Sequence, residues 1–251
     1  LSADTWGLAS VFYIMAGLCF FGFLLVLTNL PACCPIDRQL PTSLWNSLRA
    51  MLGRQRTVGI LLARYATVLM MVPTMAFLPV MMADWPGNSG LHTGLVIAGR
   101  TLVNALLQYP MGKMADRHDK VHLLLGGCAA MSLAVWCIPA MHTFAAMMAI
   151  YLFLGLGEAV LWPVLGAFAV EEGRRFGHGT MMGVFNLAMS AGVFTGALVA
   201  GTGLDRLGMQ SAFELTAASI MVLSLVAALL IGYGNRLERL IKKAVAGETP
   251  H

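Results

Sequence analysis

Seven times along this chain, twenty or more residues pass with at most one Asp, Glu, Lys or Arg: 8–30, 58–83, 91–111, 121–140, 144–170, 180–203 and 212–233. A helix advances about 1.5 Å per residue, so roughly 20 residues cross a hydrocarbon core about 30 Å thick. Each run is long enough to span, and the pattern predicts an all-α membrane protein with seven spans. Composition points the same way. Of 251 residues, 58% are hydrophobic and only 11% charged, with mean hydropathy +0.76; a soluble domain carries about 25% charged residues. The first run lacks a basic leader and a small-residue cleavage site and exceeds a signal-peptide core, so it is expected to span. It begins almost at Leu1, and the chain is expected to be a piece of something longer.

Lysine and arginine placement sets an expected orientation. Alternate loops hold Arg38, Arg49, Arg54 and Arg56, then Lys113, Arg117 and Lys120, then Arg174 and Arg175; the tail adds Arg236, Arg239, Lys242 and Lys243. The opposite loops hold Arg206 alone, while Arg64 and Arg100 fall inside runs. By the positive-inside rule the basic loops and the C-terminus face the cytoplasm and residue 1 faces out. The +4 net charge is thereby a matter of topology and implies no nucleic-acid partner. Five cysteines (Cys19, Cys33, Cys34, Cys128 and Cys137) lie in runs or at the basic border, where free thiols are expected.

The loop 31–57 predicts a connector with a helix lying in the headgroup region. Leu44, Trp45, Leu48, Met51 and Leu52 share one face there, with Asn46, Ser47 and Arg49 elsewhere. The stretch 235–245 repeats the pattern, with Leu237, Leu240, Ile241 and Val245 against Arg236, Arg239, Lys242 and Lys243.

The charges knotted in "GKMADRHDK", 112–120, are expected to form a tight turn between two spans. Gly112 after Pro110 is expected to end one helix, Asp116 to cap the next, and Asp119 to sit in its first turn. This stretch resembles the loop signature of major facilitator superfamily transporters, roughly G-x-L-a-D-r-x-G-r/k-r/k, departing at Met114, Asp119 and Val121. The resemblance extends to nearly the whole chain: 5–31 looks like the family's sixth helix, and 154–201 like helices ten and eleven of drug-efflux-type members. It implies a C-terminal six-helix bundle preceded by helix six. Residues 1–30 would be the last helix of an N-terminal bundle, 31–57 a cytoplasmic connector, 58–233 the six-helix bundle and 234–251 a cytoplasmic tail. Helices 1–5 would be supplied by sequence absent here. Gly112, Asp116, Arg117 and Lys120 would form a gating loop docked against that missing half.

Polar groups inside spans are costly in lipid, so they should face a cavity or one another. Arg100, Asn104 and Gln108 recur at i, i+4 and i+8 as one stripe. Tyr151, Gly155, Glu158 and Trp162 share a face, as do Asn186 and Ser190, and Ala188, Gly192, Gly196 and Ala200 form a small-residue stripe almost opposite the latter pair. Such stripes admit a close neighbouring helix. Glu158 lies about 21 Å into its span and Arg100 about 14 Å, an offset a long arginine can cover. Glu158 is expected to titrate during transport, with Arg100 tuning it or binding an anionic group; the alternative is a fixed ion pair or polar contact. Arg64 is expected to snorkel to the cytoplasmic surface. Pro73 and Pro79 are expected to interrupt one span and Pro163 another. "GTGLDRLG", 201–208, is expected to be a turn.

Other chemistry is thin. His118 and His122 stand at i, i+4 without a third ligand, so no metal site or cofactor is expected. No hydrolase, zinc-protease, P-loop or dinucleotide motif occurs, so no enzyme is expected, and no lysine lies within a span to carry a Schiff base. The expected function is part of a secondary transporter in a plasma membrane, bacterial inner membrane in type. It would move a small solute by alternating access, as a proton-coupled efflux antiporter, with proton and lipid bilayer as its other partners. The alternatives are a proton-coupled uptake permease for a sugar or organic anion, and a non-transporting membrane binding or assembly partner.

Overall fold

The apolar runs become helices. The computed structural model describes residues 8–29, 44–83, 85 and 89–245. In chain order these form α1 (Leu8–Asn29), α2 (Leu44–Leu52), α3 (Gln55–Val68), α4 (Met71–Ala83), α5 (Gly90–Arg117), α6 (Lys120–Cys137), a 3-10 turn (Ile138–Ala140), α7 (Phe144–Phe176), α8 (His178–Leu207) and α9 (Met209–Val245). No strand occurs among the described residues. Seven helical segments, α3 and α4 counting as one, have the length and composition to cross a membrane. Cys33, Cys34 and residues 246–251 lie outside the described residues; Cys19, Cys128 and Cys137 are free thiols.

The chain divides into two units, Leu1–Thr42 and Ser43–His251. The first contains α1, a uniformly apolar helix. In the second, α5 packs on α7, α7 on α6, α6 on α9, α9 on α3 and α3 on α8, while α7 and α9 also touch α8. Small residues set these distances. A Cβ on Gly59 would fall 2.8 Å from an Ile231 side-chain carbon, and one on Gly157 would fall 2.9 Å from Met131, so α3–α9 and α6–α7 approach through glycine. The expected α8 stripe does the same: Gly192, Gly196 and Ala200 are buried, and Gly192 meets the Tyr65 carbonyl of α3. The hydroxyls of Thr195 and Tyr65 hydrogen-bond at 2.7 Å beside this seam.

Several expectations about ends and breaks change. The span 58–83 is broken, at Leu69–Met70. Pro73 has no N–H to offer the carbonyl four residues earlier, Leu69 O, so the ladder is lost there. That same carbonyl oxygen points at Gly196, where a Cβ would sit only 2.3 Å away. Pro79 and Pro163, by contrast, lie inside uninterrupted helices, since each ring removes a single bond that the surrounding turns tolerate. Gly112 does not end a helix; α5 continues to Arg117. Asp116 is in the last turn of α5, and Asp119 is the cap of α6, its carboxylate accepting from the Val121 N–H at 2.8 Å. Only His118 and Asp119 separate the helices, both with extended backbone, and Asp119, directly before Lys120, is the one placed to cap α6. Residues 201–207 are the last turns of α8, and the chain turns at Gly208 with φ +86°, a left-handed angle suited to glycine.

The connector helix and the tail also differ in detail. In α2, Ser47 and Met51, four residues apart, are the buried pair, whereas Trp45 and Leu52 are exposed. The tail is no separate helix through Val245, because α9 runs on without a break from Met209. Replacing Gly196 by Ala should cost about 1–3 kcal/mol of stability through overpacking against Leu69. Gly201→Ala, at a position in the same helix with nothing within 4 Å, should be near neutral. Thermal unfolding of the purified protein in detergent compares the two.

Candidate functional site

The polar residues predicted on α5 and α7 meet in one buried network. Gly155 makes this possible: a Cβ there would fall 2.5 Å from the Arg100 carbonyl oxygen, so α5 and α7 touch backbone to backbone. From that crossing the Arg100 side chain reaches one turn further along α7 to Glu158. Its Nε donates to Glu158 Oε2 at 3.0 Å and its Nη2 to Oε1 at 2.5 Å, a side-on fork onto both carboxylate oxygens. Its Nη1 donates to Thr74 Oγ1 at 3.0 Å, and the Thr74 hydroxyl donates in turn to the Met70 carbonyl at 2.7 Å. Arg100 is 3% exposed and Glu158 7%. The offset between the helices is therefore covered by a paired, hydrogen-bonded arginine, the arrangement that makes a buried charge tolerable.

The rest of the stripe joins on. Asn104 Nδ2 donates to Glu158 Oε2 at 3.4 Å, and Gln108 Nε2 donates to Asn104 Oδ1 at 3.0 Å, so the i, i+4, i+8 positions form a chain leading from the buried carboxylate to exposed Gln108. Tyr151, fully buried, donates its hydroxyl to the Thr74 carbonyl at 2.7 Å. Thr74 is the member that sequence reasoning missed. It sits one turn after the Leu69–Met70 break, and a threonine in an apolar helix carries no charge to draw notice. Asn186 and Ser190 are not part of this network; both are exposed on α8.

Trp162 leads to a different arginine. Arg64 does not snorkel: it is 5% exposed, its guanidinium carbon lying 4.2 Å from the Trp162 ring centroid and 4.9 Å from that of Phe185. Two aromatic faces within reach hold the cation in the bundle by charge–quadrupole attraction, which removes the need to reach water. Trp162 also lines a recess with Ala105, Gln108, Tyr109 and Pro163.

A second charged cluster ties the basic ends of four helices. Arg56 of α3 contacts Glu171 at 2.5 Å and Glu172 at 3.1 Å; Lys120 of α6 pairs with Glu171; Arg54 and Arg175 pair with Glu238 of α9 at 2.5 and 2.6 Å. Thr57 donates to buried Glu172 at 3.0 Å. Glu171 and Glu238 lie beyond the apolar runs 144–170 and 212–233. Burial pushes both carboxyls up, but Lys120 and Arg56 outweigh it for Glu171, as Arg175 and Arg54 do for Glu238, holding both below the ordinary value. Of the predicted loop residues, only Lys120 enters this cluster. Asp116 and Arg117 are exposed, and Gly112 packs near Pro163. The signal that could have disclosed the cluster is the "EEGRR" run at 171–175 opposite the single Glu238.

In the second unit, six span-length helical segments, glycine seams and a buried polar network describe a membrane helix bundle. The model for the Major Facilitator Superfamily matches residues 57–250, from the start of α3 onward. The chain belongs to the Major Facilitator Superfamily. An uncharacterized MFS-type transporter of Methanocaldococcus jannaschii is 25% identical over 140 residues, a stretch covering 56% of this chain and 36% of the relative's length. The chain thus spans little more than a third of that superfamily relative.

In this superfamily member the Arg100–Glu158 fork makes a stability prediction. Removing one partner leaves a buried, uncompensated charge or acceptor, so Glu158→Gln and Arg100→Gln should each destabilise by about 3–5 kcal/mol. The double variant should lose clearly less than the sum. Denaturation of all four proteins in detergent, arranged as a double-mutant cycle, checks it.

Proposed function

We propose that this chain supplies the second bundle of a secondary transporter that carries a small solute by alternating access, with protons as the coupling ion and efflux as the direction. The observation that carries the reading is the buried Arg100–Glu158 fork and its bond to Thr74. It joins α4, α5 and α7 one turn beyond the Leu69–Met70 break. Protonating Glu158 would leave Arg100 unbalanced, and an unpaired arginine in mid-membrane costs about 2.5–3.5 kcal/mol on insertion scales. That cost favours a rearrangement of α4 about Leu69–Met70, or the arrival of another anion. Proton uptake would in this way be tied to the rocking of one bundle against the other.

The remaining parts take roles around that core. The basic ends of α3, α6, α7 and α9 would face the cytoplasm by the positive-inside rule, in a bacterial inner membrane, and α1 would be the last helix of the other bundle. Exposed Tyr109, Asn186 and Ser190 would border the cavity shared with helices 1–5 of that bundle. Methionine-rich, apolar walls suit amphipathic solutes, which supports export. Asp116 and Arg117, exposed beside the charge cluster, would dock against the partner bundle as the cytoplasmic gate.

Two substitutions in the full-length native protein test the reading, assayed in proteoliposomes with an imposed pH gradient. Glu158→Gln should abolish the dependence of solute flux on the gradient, and coupling that persists unchanged removes Glu158 from the mechanism. Asp116→Asn should slow flux several-fold without reducing membrane insertion; a native rate removes the gate. Reversed flux would establish the uptake alternative, and no flux from a well-inserted native protein would leave a binding or assembly role.

A further inference from the structure

The two buried arginines of the bundle differ in what meets their hydrogen-bonding edge. Arg100 presents Nε and Nη2 to the two oxygens of Glu158. Arg64 presents the same edge to much less. Its Nη2 donates to the Met189 thioether sulfur at 2.7 Å, a weak acceptor, and its buried Nε has no hydrogen-bond partner. Among the described residues no carboxylate pairs with it. Two rings balance part of the charge by cation–π attraction, but rings do not satisfy N–H donors.

We infer that Arg64, walled by Trp162 and Phe185, is the binding site for the carboxylate of an apolar or aromatic organic acid, entered from the recess beside Trp162. The edge of a guanidinium offers two parallel N–H donors that match the two oxygens of a carboxylate, as Glu158 demonstrates on Arg100. The walls are aromatic and thioether surfaces, suited to an apolar body attached to that carboxylate. Trp162 is half-buried and shared between Arg64 and the recess lined by Ala105, Gln108, Tyr109 and Pro163, so a change of its rotamer would connect the two. An acid bound there would exchange the weak sulfur contact and the unpartnered Nε for two charge-assisted bonds. This deepens the transport reading by naming the solute's chemistry, but it stands on binding, which is measured without transport.

The test is equilibrium binding of radiolabelled benzoate to the purified full-length protein, with phenylacetate and benzamide as competitors. Benzoate should bind saturably, phenylacetate should displace it, and benzamide, equal in shape but neutral, should compete at least tenfold more weakly. Arg64→Gln should lower benzoate affinity at least tenfold. Arg64→Lys, which keeps the charge through folding but lacks the fork, should lower it several-fold. No saturable binding, equal competition by benzamide, or native affinity in either variant overturns the assignment. Binding without proton-coupled flux would defeat the proposed function and leave this site standing; flux without benzoate binding would do the reverse.

Discussion

A charge inside an apolar bundle is the most demanding occupant it can have, and Arg100 sets the terms for its neighbours. Its guanidinium needs several acceptors, and they come from two other helices, Glu158 on α7 and Thr74 on α4, while Asn104 of α5 itself donates to Glu158 in turn. Satisfying it requires α5 and α7 to cross closely enough for the side chain to reach, which the missing Cβ of Gly155 allows. It also requires Thr74 at the right height, which places the beginning of α4 against the pair. The polar network is thus a constraint on helix register as much as a site.

The break before α4 belongs to the same arrangement. Pro73 frees the Leu69 carbonyl, and Gly196 of α8 packs on that oxygen. A weak point in one helix is thereby held by a glycine seam on one side and by the Thr74–Arg100 bond on the other. Arg64 sits on the unbroken half, α3, less than two turns before the break, so the fork, the seam and the aromatic clamp on Arg64 all bear on one stretch of chain. Small changes at any of them would be felt at the others, because close-packed interiors transmit displacement.

Much of this was legible from residue order because helical periodicity is local. The stripe of Arg100, Asn104 and Gln108 and the small-residue line through Gly192, Gly196 and Ala200 follow from positions three and four apart on one helix, and both are faces of the folded bundle. Arg64 was misjudged for the opposite reason. Its depth of one to two turns permits an escape to water, and only the arrival of Trp162 from α7 and Phe185 from α8 removes the need. Asp116 was misplaced because α5 runs on to Arg117, leaving only His118 and Asp119 extended, and composition cannot say where a helix stops.

Residue order by itself determined that this chain crosses membranes as helices, how many times, and which superfamily it resembles. Hydrophobic length and the spacing of charges carry that information without reference to distant residues. Tertiary structure decided which acid meets which base. Glu158 could have faced Arg64 or Arg100, and Glu238 could have been a solvated charge on a tail rather than the partner of Arg54 and Arg175. Such choices depend on the register between helices, set by where glycines let backbones touch. A shift of one turn moves a side chain by about 5.4 Å, more than the length of a hydrogen bond.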